Sequence, residues 1–189
     1  MHQRFVLRLA TVLALALAVF FIVPTGTRAA EFLTGPNPSV AADQTIDDDV
    51  YAAGGTVTID GRITRDLNVA GGTVTIAGEV GGNLNVTGGT VTVDGPVRGS
   101  IRVFAGTVTI RRSVGWDLIV TGGTATLGPD ARVGQDVIAA TGTVTLDGDV
   151  DRDVRGSTGT LTINGEVGRN VRIDVDQTLR LGERATING

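Results

Sequence analysis

The stretch from Leu67 to Val93, LNVAGGTVTIAGEVGGNLNVTGGTVTV, contains one motif twice, 17 residues apart. Self-similarity at a short fixed period is the signature of a solenoid. The Thr after the glycines recurs at spacings of 17, 17, 17, 17, 19, 17 and 18 residues. Its positions are Thr56, Thr73, Thr90, Thr107, Thr124, Thr143, Thr160 and Thr178. The sequence therefore predicts about eight stacked rungs of 17 to 19 residues.

Within each rung the apolar residues stand two apart, which is the period of a β-strand. One rung shows Val74, Ile76, Val80, Leu84 and Val86, and the other rungs repeat this pattern. These positions form three short groups separated by Gly, Asp-Gly, Asn-Gly or Arg-Gly, which are turn signals. We predict an all-β chain that forms a triangular parallel β-helix, a solenoid in which each rung buries its apolar side chains against its neighbours.

The composition suits a thin, repetitive core. The chain has 28 Gly, 41% hydrophobic residues and only 4% aromatic residues, so Val, Ile, Leu and Ala must fill the interior. Cysteine is absent, which excludes disulfides and thiolate metal sites. All 16 basic residues are Arg, and 20 acidic residues outnumber them. This acidic balance argues against a nucleic-acid partner.

The first 29 residues have the three parts of a secretory signal peptide. Arg4 and Arg8 precede an apolar run from Leu9 to Val23, and small residues surround a cleavage site after Ala29. We therefore predict an extracytoplasmic protein, secreted or associated with the cell envelope; an uncleaved segment that anchors it to the membrane is the alternative. Residues 30–45 lack the period and contain two X-Pro steps, which predicts a flexible linker.

Residues 46–189 are the predicted β-helix domain, and its last rung is incomplete. The final core residue, Ile187, is followed only by Asn188 and Gly189, so either the C-terminal edge is uncapped or C-terminal sequence is missing. An open terminal rung presents unpaired N–H and C=O groups that invite pairing with another chain. Leu179, Leu181 and Ile187 are therefore the candidate end-to-end contacts.

The repeat resembles a known family. Gly54-Gly55-Thr56-Val57-Thr58-Ile59-Asp60-Gly61, followed by Arg65-Asp66-Leu67-Asn68-Val69 and repeated at this spacing, is similar to the bactofilin group of polymer-forming cytoskeletal proteins. The resemblance covers about residues 46–189. It implies a right-handed β-helix that assembles end to end into a homopolymer without nucleotide and serves as a scaffold in cell shape or envelope organisation. The predicted signal peptide makes this chain an exported relative.

A Thr-x-Thr ladder offers an alternative function. If the Val between the two Thr of each pair points inward, both Thr point outward and form a flat grid. Such arrays resemble ice-binding solenoids, and the same face could bind a glycan; Thr is also simply a favoured residue on exposed strands. The members are Thr56, Thr58, Thr73, Thr75, Thr90, Thr92, Thr107, Thr109, Thr124, Thr126, Thr143, Thr145, Thr160 and Thr162.

A column of short polar residues precedes the third apolar group of every rung. Stacked carboxylates and amides could hold calcium, but such residues more often satisfy backbone groups at corners as Asx turns. We predict no metal and no other cofactor. The members are Asp49, Asp66, Asn83, Ser100, Asp117, Asp136, Asp153 and Asn170.

Two further features concern enzymes and partners. The single His is His2, inside the predicted signal peptide, and no long insertion rises from the rungs to build a cleft, so we predict that the chain is not an enzyme. A few apolar residues fall at outward or corner positions and form a candidate lateral patch for a partner or a second rod. They are Phe104, Trp116, Ile119 and Ile138.

Overall fold

A computed structural model describes residues 30–189, and in this part of the chain all regular structure is β-strand. The predicted signal peptide, residues 1–29, lies outside the described residues. The strands are β1 (Glu31–Thr34), β2 (Ser39–Val40), β3 (Thr45–Ile46), β4 (Val50–Ile59), β5 (Arg62–Ile63), β6 (Leu67–Ile76), β7 (Leu84–Val93), β8 (Ile101–Ile110), β9 (Leu118–Leu127), β10 (Arg132–Val133), β11 (Val137–Leu146), β12 (Asp149–Val150), β13 (Val154–Ile163), β14 (Glu166–Val167), β15 (Val171–Leu181) and β16 (Thr186–Ile187).

The long strands stack in parallel, each one turn after the last. Their order across the sheet is β1, β4, β6, β7, β8, β9, β11, β13 and β15, with β2 pairing to β4. Because residues one period apart are partners, Val57 pairs with Val74 and Val74 with Val91. The chain is therefore a parallel β-solenoid of about nine turns. The prediction of an all-β solenoid is confirmed, whereas its right hand and triangular section stay predictions.

A second strip of short strands completes each turn. It consists of the pair β3–β5, the series β10–β12–β14–β16, and isolated parallel bridges that join the two. The apolar members of this strip form one continuous column through the molecule. They are Ile46, Ile63, Val80, Val97, Val114, Val133, Val150, Val167 and Ile187.

The core is the stack of inward-facing columns that the repeat predicts. In the third and fourth turns Val74, Ile76, Val80, Leu84 and Val86 are all buried. Their neighbours on the same strands are exposed or half-buried, because successive side chains of a strand point to opposite faces. Each turn thus covers the apolar residues of the turns on either side.

The prediction of a flexible linker at residues 30–45 is wrong. β1 pairs with the first half of β4, β2 pairs with the second half of β4, and β3 pairs with β5, so these residues form the first turn of the solenoid. The turn between β2 and β3 closes with a hydrogen bond from the Gln44 N–H to the Ala41 carbonyl oxygen, 2.9 Å. Proline in the segment between β1 and β2 interrupts the strand and hides the period.

Glycine is required at the Asp-Gly and Asn-Gly corners because the stacked turns leave no room for a Cβ atom. Within the described residues, positive φ occurs only at Gly35, Gly122 and Gly156. A Cβ at Gly95 would instead collide with the carbonyl oxygen of Gly78 in the preceding turn, and the turns stack too closely there for any side chain. Close stacking of the turns, rather than positive φ, therefore explains the glycines at these corners.

Candidate functional site

The last turn, made of β15 and β16, leaves part of the core columns open. Leu179 and Leu181 are each 57% exposed, whereas their register partners Leu161 and Ile163 are fully buried. Ile187, in the short-strand column, is also exposed. Among the described residues β15 pairs only with β13, so its other edge is free. The three candidate end-to-end contacts therefore lie together on one apolar edge.

The Thr-x-Thr ladder forms a single surface, which we name the threonine face. The first Thr of each pair is in register from Thr56 to Thr178, and the second is in register from Thr58 to Thr162. Both columns alternate with buried residues and therefore point outward. Arg180 follows Thr162 in the second column and ends the pairing of Thr with Thr in the last turn.

The polar column supports the backbone between turns. Each side chain from Asp49 to Asp153 accepts a hydrogen bond from the backbone N–H of the column member in the next turn, at 2.7 to 3.4 Å. The corner role was predicted, but the bonds connect neighbouring turns rather than closing Asx turns within one turn. The acceptor oxygens are thus engaged by buried or half-buried backbone donors.

Asp153 is the member of the polar column with the strongest electrostatic support. The Asn170 backbone N–H lowers the pKa of Asp153 to about 2 from its ordinary value of 3.8, outweighing the opposing effect of burial. The Asn170 amide and the guanidinium of Arg155 act in the same direction. Arg155 also contacts Asp136 at 3.3 Å, so one cation forms ion pairs with two stacked carboxylates.

A concave strip runs along the first half of the long strands in turns one to six, and we name it the side groove. It has a volume of about 640 Å³ and is open to solvent. Its floor is made of small side chains such as Ala53, Ala70 and Thr87. Phe32 and Tyr51 stack at one end with ring centroids 5.2 Å apart, and Phe104 lies near the other end.

Polar groups follow one column of the side groove. Asn85 donates from Nδ2 to Oδ1 of Asn68 at 2.9 Å, and Arg102 comes next in the same column. The groove lining contains Arg102 as its cation and includes no acidic residue. In the described part of the chain Arg102 forms no ion pair.

The residues of the predicted lateral patch are divided between surfaces. Phe104 and Ile119 both line the side groove, and Ile138 follows Ile119 in its column. Trp116 is exposed at a corner outside the groove. The patch prediction missed Phe32 and Tyr51, which complete the apolar end of the groove. The spacing of six residues from Val40 to Ile46 equals the spacing from Leu127 to Val133. This match in the sequence could have identified the turn that contains Phe32.

The described residues offer neither a metal cluster nor a membrane-spanning helix. Across residues 30–189 no three acidic or His side chains gather as a metal site requires. The same residues include no helix of the length and hydropathy that crossing a membrane demands. No protein-family model, curated protein or solved structure matches the chain.

Proposed function

We propose that this chain is an exported, bactofilin-like structural scaffold whose rods associate end to end through the last turn. The observation that carries the proposal is the open apolar edge formed by Leu179, Leu181 and Ile187. The same columns are buried in earlier turns only because a further turn covers them. A second copy stacked on this edge would bury each side chain, a gain of about 1.5 to 3 kcal/mol per fully covered residue.

The backbone of the last turn supports the same proposal. β15 is 11 residues long, and its outer N–H and C=O groups have no neighbouring strand in residues 30–189. Long, unprotected edge strands template the addition of another strand. A second rod would supply both the backbone partners and the apolar cover.

Sedimentation velocity over a range of concentrations tests this association. The protein is expected to form species larger than one rod, and Leu181→Glu is expected to remain a single rod because a carboxylate would be trapped in the apolar contact. Thr107→Glu is the matched control, since it adds the same charge on an exposed residue in the middle of the rod. Wild-type protein that stays monomeric at every concentration contradicts the proposal.

The threonine face supports a second candidate, a solenoid that binds a repetitive surface such as ice or a glycan. Its two Thr columns stay in register over seven turns, which gives the regular spacing that such a surface needs. Purified rods are then expected to shape growing ice crystals. A Thr90→Lys, Thr107→Lys double variant should lose that effect, and rods that leave ice unshaped would remove ice from this candidate.

A further inference from the structure

We propose that the side groove is a binding site for a carboxylated polysaccharide. This site lies on the flank of the rod, away from the last turn and from the threonine face, and it does not depend on self-association. Concave surfaces lined mainly by apolar groups, with a few polar groups that converge, are the usual form of ligand sites. The side groove has this form over six turns.

The ends of the groove supply aromatic surfaces. Tyr51 is held by its stack on Phe32, and the part of its ring that Phe32 leaves uncovered borders the groove. Phe104 is 61% exposed near the other end, three turns from Tyr51 and thus about 14 Å from it along the rod axis. Sugar rings carry flat patches of C–H groups that pack on aromatic faces. The distance fits a short run of sugar rings rather than a single one.

The amide pair supplies hydrogen bonds of both kinds. Asn85 Nδ2 donates to Asn68 Oδ1, which leaves Asn68 Nδ2 as a donor and Asn85 Oδ1 as an acceptor without partners among the described residues. Sugar hydroxyls both donate and accept, so this arrangement matches them. The small floor residues Ala53 and Ala70 keep both amides accessible from the groove.

Arg102 selects for a carboxylate. It follows Asn85 in the same column, is exposed, and makes no ion pair with the described residues. An arginine binds a carboxylate through two parallel hydrogen bonds. The chain has a net charge of −4, yet no acid lines the groove. The local charge therefore complements an acidic sugar although the protein as a whole repels one.

Two other classes of ligand fit less well. A peptide that binds as an added strand needs a free sheet edge. The groove instead lies on the face of a sheet whose backbone groups already pair between turns. A nucleic acid needs several cations along its phosphates, and the groove lining offers Arg102 alone.

The test is isothermal titration calorimetry with protein produced from the full chain, using oligogalacturonate and the neutral cello-oligosaccharide of equal length. We expect oligogalacturonate to bind more tightly. Arg102→Gln should remove that preference, a loss of about tenfold for one charge-assisted contact. Tyr51→Ala and Phe104→Ala should weaken binding of both sugars. Trp116→Ala is the matched control, because it removes an exposed aromatic residue outside the groove and should leave binding unchanged.

Three outcomes would overturn the proposal. One is the absence of heat with either sugar, and another is undiminished binding by a Tyr51→Ala, Phe104→Ala double variant. The third is that Phe104→Ala lowers the sedimentation coefficient of concentrated protein, which would make the groove a contact between rods. Adding Leu181→Glu should leave sugar binding unchanged, so failure of the end-to-end association is distinguishable from failure of this site.

Discussion

The two ends of the rod are built from the same core columns but leave very different surfaces exposed. Val40 begins a column that Leu181 ends; Val40 is 1% exposed and Leu181 57%. The first turn has strands of four, two and two residues, whereas β15 alone has 11. Short edge strands resist pairing and long ones invite it. The short strands of the first turn suit a cap, and the long, open strand of the last turn suits the contact surface that we propose.

The largest difference between covered and open turns should appear in stability. Ile163→Ala removes a fully buried side chain and is expected to lower the free energy of unfolding by about 2 to 5 kcal/mol. Leu181→Ala, one turn later in the same column, should cost less than about 1 kcal/mol in dilute protein because Leu181 is already exposed. Urea unfolding followed by circular dichroism measures both, and equal losses would show that the last turn is covered in solution.

The second difference should appear in association. Ile46 and Ile187 are the first and last members of the short-strand column. Ile187→Glu is expected to weaken self-association by at least about tenfold, since a carboxylate in an apolar contact costs more than the ~1.4 kcal/mol that tenfold represents. Ile46→Glu should weaken it less. Sedimentation equilibrium measures the change, and a larger effect from Ile46→Glu would place the main contact at the first turn.

Acid should loosen the turns near the open end. Asp153 has a folded-state pKa of about 2, below its ordinary value of 3.8. The stability it contributes is therefore complete above about pH 4 and is lost as the pH falls toward 2. Asp153→Asn keeps an acceptor for the Asn170 N–H and should remove part of this pH dependence. Acid unfolding profiles of the two proteins that coincide in shape would contradict this role of Asp153.

The smallest effect should come from the middle of the rod, far from both ends. Ala125 stands between Val108 and Val144 in a column of larger residues, beside a cavity of about 10 Å³. Ala125→Val restores the column and should stabilise the protein by about 0.5 to 1 kcal/mol. Thermal unfolding measures the gain. A lower melting temperature would show that the turns cannot accept the added methyl groups.

The repeated turns could be predicted from the sequence because every turn places apolar residues at the same positions of the repeat. Val74 and Val91 occupy the same position of the repeat and are also register partners in the sheet. The period of the sequence therefore predicts the register of the strands. The first turn escaped prediction because Gly35 to Pro38 break its period. The tight packing at Gly95 was also not predicted, since it depends on the carbonyl oxygen of Gly78 in the preceding turn.

The candidate sites show the same limit. The open edge at Leu181 was predicted, because a column that stops can be counted along the sequence. The side groove was not predicted, since Tyr51, Asn85 and Phe104 come from different turns and Phe32 from an unrecognised one. Surfaces that run across the repeat are visible only once the register is known.

Hydrogen exchange at rising protein concentration tests most directly whether the last turn is the contact surface. Amides of β15 should gain protection as rods associate, while those of β8, already paired on both sides, should stay protected at every concentration. In Leu181→Glu the β15 amides that face away from β13 should exchange rapidly at every concentration. Protection of β15 that does not change with concentration, or that persists unchanged in Leu181→Glu, would contradict end-to-end association through this turn.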